Sequence, residues 1–421
     1  MEDDKHEDLN QRIAQLALSS FNALPSRCKP RSAEWVPMSA IILVDGRTVP
    51  PSLRLASLAT GSKCLPANLL PKASGLILHD SHSEILALRG LNRFLLQEAK
   101  DLLLPLSPDS ASSFLLHDKN YTRTGGGDND GSPVDQPFQL DPSISIHLFS
   151  TEPPCGDASM EFIMSAQQDA TPWSPPPNAS DTPQSLPGRS YFSSLSVVRR
   201  KPSRPDAPPT LSKSCTDKLT LKQFTSVLSS LSSLFISPSS NAYISTFTLP
   251  HDKYHPEGYT RAFTHSGRLS KIDTTAKQGS YSFSPFKVTP LSPNSPVIPS
   301  YPYPKPPLKD TNTKTSNISV LYINSRNPVI EVLISGVKQG NGQLSNSHDG
   351  RKGSVVCRKK MWQLGREIAE VLGNQTLVTT LNSQSYGDMK TLEGHRSNMK
   401  NIVIDALGGW EKNFGDDGWT L

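Results

Sequence analysis

The sequence predicts an α/β sandwich, and three observations carry that prediction. Apolar runs of strand length stand at residues 38–44, 53–59 and 144–149. A helical pattern through Ile85, Leu88, Leu91, Phe94 and Leu95 separates the second run from the third. A further element starts near Cys155, giving the order strand, strand, helix, strand, helix, which is that of layered α/β folds.

Each element has a local reason. Residues 9–24 repeat Ile13, Leu16, Leu18, Phe21 and Leu24 at helical spacing. The run 38–44 closes on the turn signal Asp45-Gly46, and 53–59 ends at Thr60-Gly61-Ser62-Lys63-Cys64. Ser81 is a candidate N-cap for the next helix, and Ser81-x-x-Glu84 reads as a capping box. Pro153 and Pro154 cannot continue the 144–149 ladder, so a new element begins near Cys155. Cys215 stands in a similar setting, a polar loop running into a helix-like pattern. Strands follow at 243–249, 320–323 and 329–335, then a helix over 355–372. The basic set Arg351, Lys352, Arg358, Lys359 and Lys360 at its start reads as a solvated face. A last helix-like stretch holds Tyr386, Lys390, Arg396 and Lys400, ahead of Trp410. Residues 121–136, 170–212 and 284–316 are rich in Gly and Asp or in Pro and Ser. They lack apolar periodicity and read as unfolded insertions in surface loops.

With 421 residues there is room for one large domain or two ordinary ones, and 37 prolines with 35% hydrophobic residues leave part of the chain outside any core. A net charge of +5 permits a polyanionic partner without demanding one. Five cysteines do not suggest a disulfide framework. The acidic start lacks the apolar stretch of a signal peptide, and no run has the length of a membrane span. The expectation is an intracellular protein of cytoplasm or nucleus, with no membrane association and no obligate protein partner.

The chemistry lies in two stretches. His82-Ser83-Glu84 puts an imidazole and a carboxylate in the first turn of a helix, beside the positive end of its dipole. Alone, that is better explained by the capping box. Pro154-Cys155, with a thiol at an element's N-terminus, changes the balance. His-x-Glu followed by Pro-Cys is most of the zinc deaminase signature, in which one histidine and two cysteines hold the metal and glutamate shuttles protons. The second cysteine of that signature would fall at Ala158, and two protein ligands are too few for catalytic zinc. Of Cys28, Cys64, Cys215 and Cys357, spacing favours Cys215, with Cys64 next.

Together His82-Ser83-Glu84, Pro154-Cys155-Gly156-Asp157-Ala158 and Ser214-Cys215-Thr216-Asp217-Lys218 resemble the RNA adenosine deaminases of the ADAR and tRNA-editing type, the A-to-I editases. The similarity runs with gaps from about Trp35 to the C-terminus and is greatest to the tRNA-specific branch. The resemblance implies one domain over 1–421, a three-layer cytidine-deaminase-like sandwich with a C-terminal helical and strand extension. It implies zinc on His82, Cys155 and Cys215, Glu84 as the proton shuttle, and adenosine in tRNA as substrate. In relatives that adenosine is the one 3′ of the anticodon (position 37) of alanine tRNA. It further implies a buried inositol hexakisphosphate on Lys63, Arg89, Lys218, Arg358, Tyr386, Lys390, Lys400 and Trp410. Leu88 and Leu221 stand where relatives often have arginine, and Arg396 where some have tyrosine. In Arg199-Arg200-Lys201-Pro202-Ser203-Arg204-Pro205-Asp206, Ser203 and Pro205 replace two glycines of the tRNA branch, and Arg200 and Lys201 are read as RNA phosphate contacts. The competing readings are a deaminase of cytosine or of another RNA, and a non-catalytic tRNA-binding module with structural zinc.

Overall fold

The structure is a computed structural model describing residues 2–104, 114–118, 121, 136–165, 186–187, 194–201, 207–297, 300–306, 312–340 and 350–421. In chain order, helix α1 (Glu2–Asn22) precedes strands β1 (Glu34–Trp35), β2 (Met38–Asp45) and β3 (Ser52–Thr60), then helix α2 (Ser83–Leu103). Strands β4 (Leu115–His117), β5 (Phe138–Leu140) and β6 (Ile144–Ser150) lead to the short helix α3 (Met160–Met164). Strands β7 (Leu186–Pro187) and β8 (Arg199–Arg200) precede α4 (Cys215–Thr225), β9 (Ile244–Leu249) and α5 (Pro256–Phe263). Strands β10 (Lys287–Pro290), β11 (Lys314–Thr315), β12 (Ile318–Ile323), β13 (Val329–Ile334) and β14 (Val337–Lys338) follow. Helices α6 (Arg358–Leu372), α7 (Gln375–Ser383), α8 (Tyr386–Met389) and α9 (Gly394–Leu407) complete the order.

Among the described residues, eight strands form one mixed sheet in the order β10-β9-β6-β2-β3-β12-β13-β14. Strand β2 is antiparallel to both β3 and β6, whereas β6, β9 and β10 run parallel. The burial of β2 explains the layering. Its residues from Met38 to Val44 are all buried, as expected of a strand covered on both faces. Ala40, Ile42 and Val44 pack with Ile13, Ala17 and Phe21 of α1. Ile41 and Leu43 point the other way, into the core containing Leu91, Phe94 and Leu95 of α2. One period of two thus serves two helical layers, with each fully buried Leu, Ile or Phe contributing ~1.5–3 kcal/mol. The expected sandwich is present, and α6 packs on the outer side of α2.

Several boundaries differ from the sequence reading. The N-cap of α2 is His82, not Ser81, and it makes no side-chain cap bond. Glu84 is therefore not held in a capping box, which leaves its carboxylate for other work. The 355–372 helix begins at Arg358, and the last stretch is two helices, α8 and α9. The largest correction concerns residues 284–316. Their described part is folded: β10 pairs with β9, and buried Leu291 and Tyr301 pack against Phe21 of α1. Single apolar residues anchor that proline-rich stretch where periodicity has nothing to register. Within 170–212, residues 194–201 and 207–212 are also described, with Arg199 buried. Apart from Tyr121 and Gln136, the 121–136 segment lies outside the described residues, as do 170–185. No helix of the described residues is long and apolar enough to cross a membrane.

Candidate metal and proton-transfer centre

Three loops at one end of the sheet deliver the sequence-predicted ligands. After β3 the chain turns at Gly61, whose φ of +137° belongs to glycine and whose added Cβ would lie 2.4 Å from the Ser81 carbonyl. The Gly61 carbonyl accepts from the Ser83 amide at 2.9 Å, which fixes the start of α2 and with it His82 and Glu84. After β6, the Cys155 loop meets the start of α4. Ser214 caps α4 by accepting from the Asp217 amide at 3.1 Å, so Cys215 becomes the first helical residue. The Cys155 carbonyl accepts from the Thr216 amide at 3.0 Å, and the Cys215 amide donates to the Cys155 sulfur at 3.3 Å.

The result is a three-residue group of metal-ligand type: His82, Cys155 and Cys215. Nδ1 of His82 lies 3.7 Å from Sγ of Cys155 and 3.6 Å from Sγ of Cys215. With metal–N of ~2.0–2.1 Å and metal–S of ~2.3 Å, a tetrahedral angle gives an N···S edge of ~3.5 Å. The group therefore fits a zinc-like ion with a fourth position left over. A hydrogen bond with Cys215 holds Cys155 well below the ordinary thiol range; burial opposes this, and Lys201 and His82 reinforce it. Burial and Lys201 work against a charged His82, yet the thiols carry its pKa up to about 10. Cys64 forms a second group with Asp80 and His82, but the Asp80 carboxylate is already held by two ammonium groups. Cys215, not Cys64, is the thiol brought to Cys155.

Glu84 is only 4% exposed, and burial, followed by the Cys155 charge, raises its carboxyl above the usual range. A carboxyl so placed can exchange protons nearer neutrality.

Behind the ligands runs a chain of buried charges. Lys201 Nζ donates to Cys215 Sγ at 3.2 Å and to Asp80 at 2.8 and 3.0 Å. Asp80 also accepts from the His82 amide (3.0 Å), the Ser212 hydroxyl (3.0 Å) and Lys218 Nζ. Burial opposes its ionisation, but Lys201 and Lys218 outweigh burial and keep Asp80 well below the ordinary carboxylate range. The Lys201 ammonium, expected from the sequence at RNA phosphate, is buried here between the Asp80 carboxylate and the Cys215 sulfur. Arg200, by contrast, is partly exposed and pairs with Glu411 at 3.1 Å.

On the far side of Lys218 lies a cavity of about 270 Å³ between α2, α4, α6, α8 and α9. Arg89, Lys218, Arg358 and Tyr386, four of the residues named from the resemblance, line it, with Leu88 and Leu221 on the wall. Lys390 lies over the Tyr386 ring at 5.1 Å, while Trp410 packs against the cluster of Met399, Val403 and Leu407. Lys400 is near enough to Arg396 to feel its charge, and burial together with that charge lowers its pKa to about 8. Lys63 is not part of the lining; its carbonyl accepts from the Ser81 amide at 2.9 Å. The sequence reading missed Lys222 and undervalued Arg396, both of which line the cavity. Lys222 stands four residues after Lys218 on α4 and so shares its face, a signal that was available. Lys222 Nζ donates to the carbonyls of Val227 and Leu228, and its pKa is driven well down by burial, Arg396 and Lys400. Among the described residues, Nε of Arg396 is buried without a hydrogen-bond partner.

The chain is similar to known proteins. The family model described as "Adenosine-deaminase (editase) domain" matches residues 57–414. The chain is 30% identical to tRNA-specific adenosine deaminase 1 of Schizosaccharomyces pombe over 98% of this chain and 97% of that one. It is 32% identical to the protein of the same name from Saccharomyces cerevisiae, over 64% of this chain and 65% of the relative. Mouse double-stranded RNA-specific adenosine deaminase is 27% identical over 36% of this chain, which is 11% of the relative.

Proposed function

The chain belongs to the adenosine-deaminase (editase) domain family, and from that membership we propose that it converts adenosine to inosine in tRNA by hydrolysis, releasing ammonia. The carrying observation is the buried carboxyl of Glu84 beside three ligand atoms that leave a fourth position open. Zinc held by His82, Cys155 and Cys215 would supply Lewis-acid activation of water near neutral pH. Glu84 takes one proton of the attacking water at its carboxylate and passes it to the purine ring nitrogen; it then takes the proton of the newly added hydroxyl and delivers it to the amino group, so that the C–N bond breaks with release of ammonia as the carbonyl forms. Lys201 steadies the Cys215 sulfur, and Asp80 holds Lys201 in place.

The substrate we assign is the adenosine 3′ of the anticodon, in alanine tRNA. An unstacked loop base is the least costly to extrude, and the relatives named above as tRNA-specific support the class. The five unpaired cysteines support an intracellular site of action, in cytoplasm or nucleus. Incubating the purified protein with total tRNA and sequencing for A-to-G changes tests this reading. Absence of any change in tRNA would end it.

The cavity behind Lys218 we assign to inositol hexakisphosphate. Arg89, Lys222, Arg396 and Lys400 are basic groups drawn out of water, with Lys222 and Lys400 close enough to Arg396 to feel its charge, an arrangement that is costly without an anion. Phosphate groups would supply it through charge-assisted hydrogen bonds. Protein made in cells lacking highly phosphorylated inositols should be insoluble or strongly destabilised. Soluble, metal-loaded, phosphate-free protein from those cells would remove the assignment.

A further inference from the structure

The end of the sheet that carries the ligand loops has a rim that the chemistry above leaves unused. Strand β2 begins there: Met38 pairs with Thr60 and Ser39 with Ser150, and the Ser39 hydroxyl donates to that of Ser83 at 2.9 Å. The residues just before β2 therefore extend beyond the sheet beside the start of α2. Their position is fixed by the Pro37 carbonyl, which accepts from the Gly61 amide at 3.1 Å, and by the Val36 carbonyl, which accepts from the Tyr301 hydroxyl at 2.5 Å. This places Trp35, half-buried, just beyond the end of β2 that adjoins the start of α2.

Opposite it stands Glu152, three residues before Cys155 and 8% exposed. Its carboxylate accepts from the Lys305 amide at 3.2 Å and faces Lys253 Nζ at 3.7 Å. The Lys305 ammonium in turn lies 5.9 Å from the centre of the Trp35 ring. Lys253 and Tyr254 lead into α5, where Tyr259 is within electrostatic reach of both Glu84 and Glu152. The Tyr254 ring lies 5.2 Å from that of Tyr259. Glu152 thus ties together two segments, one presenting the Lys305 ammonium near the Trp35 ring and the other presenting Lys253, which also pairs with Asp252 at 3.5 Å, next to Tyr254. Alternating ring and cation is what a single strand of nucleic acid requires: a platform for a base and a charge for a phosphate.

We propose that Trp35, Tyr254, Lys253 and Lys305 form a strand clamp that holds the RNA nucleotides flanking the extruded adenosine, the rings stacking on bases and the ammonium groups meeting phosphates. The clamp rests on the reading of this centre as a tRNA deaminase. Glu152 is its positioning residue: it ties the Lys305 segment and the Lys253 turn to the Cys155 loop, and it touches no substrate.

The test uses the full-length protein with tRNA, comparing Trp35→Ala, Trp35→Phe, Lys253→Ala and Lys305→Ala with wild type. Trp35→Ala should raise KM about tenfold with kcat within about twofold, and Trp35→Phe should recover most of that loss. Each lysine variant should flatten the dependence of log binding constant on log salt by about 0.7, the single-strand value for one phosphate contact. Unchanged KM and salt slope in all variants, or a loss seen only as a lower melting temperature, would overturn the clamp. Wild-type protein that turns over no tRNA would overturn the underlying reading, and this is established before any variant is compared.

Discussion

Replacing Gly156 by alanine should pull the two thiol-bearing loops apart. Gly156 adopts φ +112°, ψ −148°, a conformation essentially confined to glycine, and forcing another residue into it costs roughly 1–3 kcal/mol. Space is a second obstacle. A Cβ at this position would lie 2.2 Å from Oγ and 2.5 Å from Cβ of Ser214. Ordinary contact begins at 3.4 Å, so Ser214 must retreat by 3.4 − 2.2, about 1.2 Å. Ser214 is the cap of α4, and losing the cap costs about another 1 kcal/mol. The total is roughly 2–4 kcal/mol of stability. More tellingly, Cys215 follows Ser214 directly, and a metal site tolerates only about 0.5 Å of misplacement. Chelator competition should show metal affinity reduced by at least tenfold, with melting lowered by several degrees. Gly394→Ala is the control, since nothing stands within 4 Å of its added Cβ. A Gly156→Ala protein with wild-type metal affinity and melting temperature would refute the claim that this contact sets the ligand spacing.

Three further outcomes are expected. Glu84→Gln should retain metal and bind tRNA normally while losing at least about a hundredfold in turnover; single-turnover kinetics would reveal a smaller loss and discredit the proton-shuttle role. Cys215→Ala should lose both metal and activity, whereas Cys64→Ala and Cys357→Ala keep both by metal analysis and tRNA assay. His147 is buried on β6, with its ring nitrogens 2.7 Å from Thr246 Oγ1 and 2.9 Å from Ser145 Oγ, and burial lowers its pKa to about 4. The folded state therefore binds the proton less well than the unfolded chain, whose value is near 6.5. Its stability is complete above pH 6.5 and declines as pH falls towards 4, by about 3 kcal/mol in all, and His147→Gln should flatten that part of a denaturation profile.

What could be read from the sequence was whatever sits on a regular period or in one short window. The strands of the sheet, α2 and the motif His82-Ser83-Glu84 are of that kind. Cys215 was also legible, because Ser214 before it and Asp217 after it mark a helix start. Lys201 was not. Its meaning comes from Asp80, 121 residues away, and a lysine beside two arginines reads as a surface charge until the fold buries it. Residues 284–316 were misread for a similar reason. Prolines exclude a periodic pattern, and the packing of Tyr301 against Phe21 becomes visible only in three dimensions. Lys222 is legible by its spacing from Lys218, four residues earlier on α4.

The separation of the ligands along the chain bears on how the molecule comes into being. His82 and Cys155 are 73 residues apart, Cys155 and Cys215 a further 60, and each stands at the end of an element that must already be docked. Closing such loops precedes any reward from the contacts they allow, so formation of this centre falls late on the folding pathway and proceeds slowly. A metal ion cannot nucleate such a structure as it does a zinc finger, whose ligands lie within a few turns of one another. On this ground a metal ion would be captured by a scaffold already in place rather than organise it.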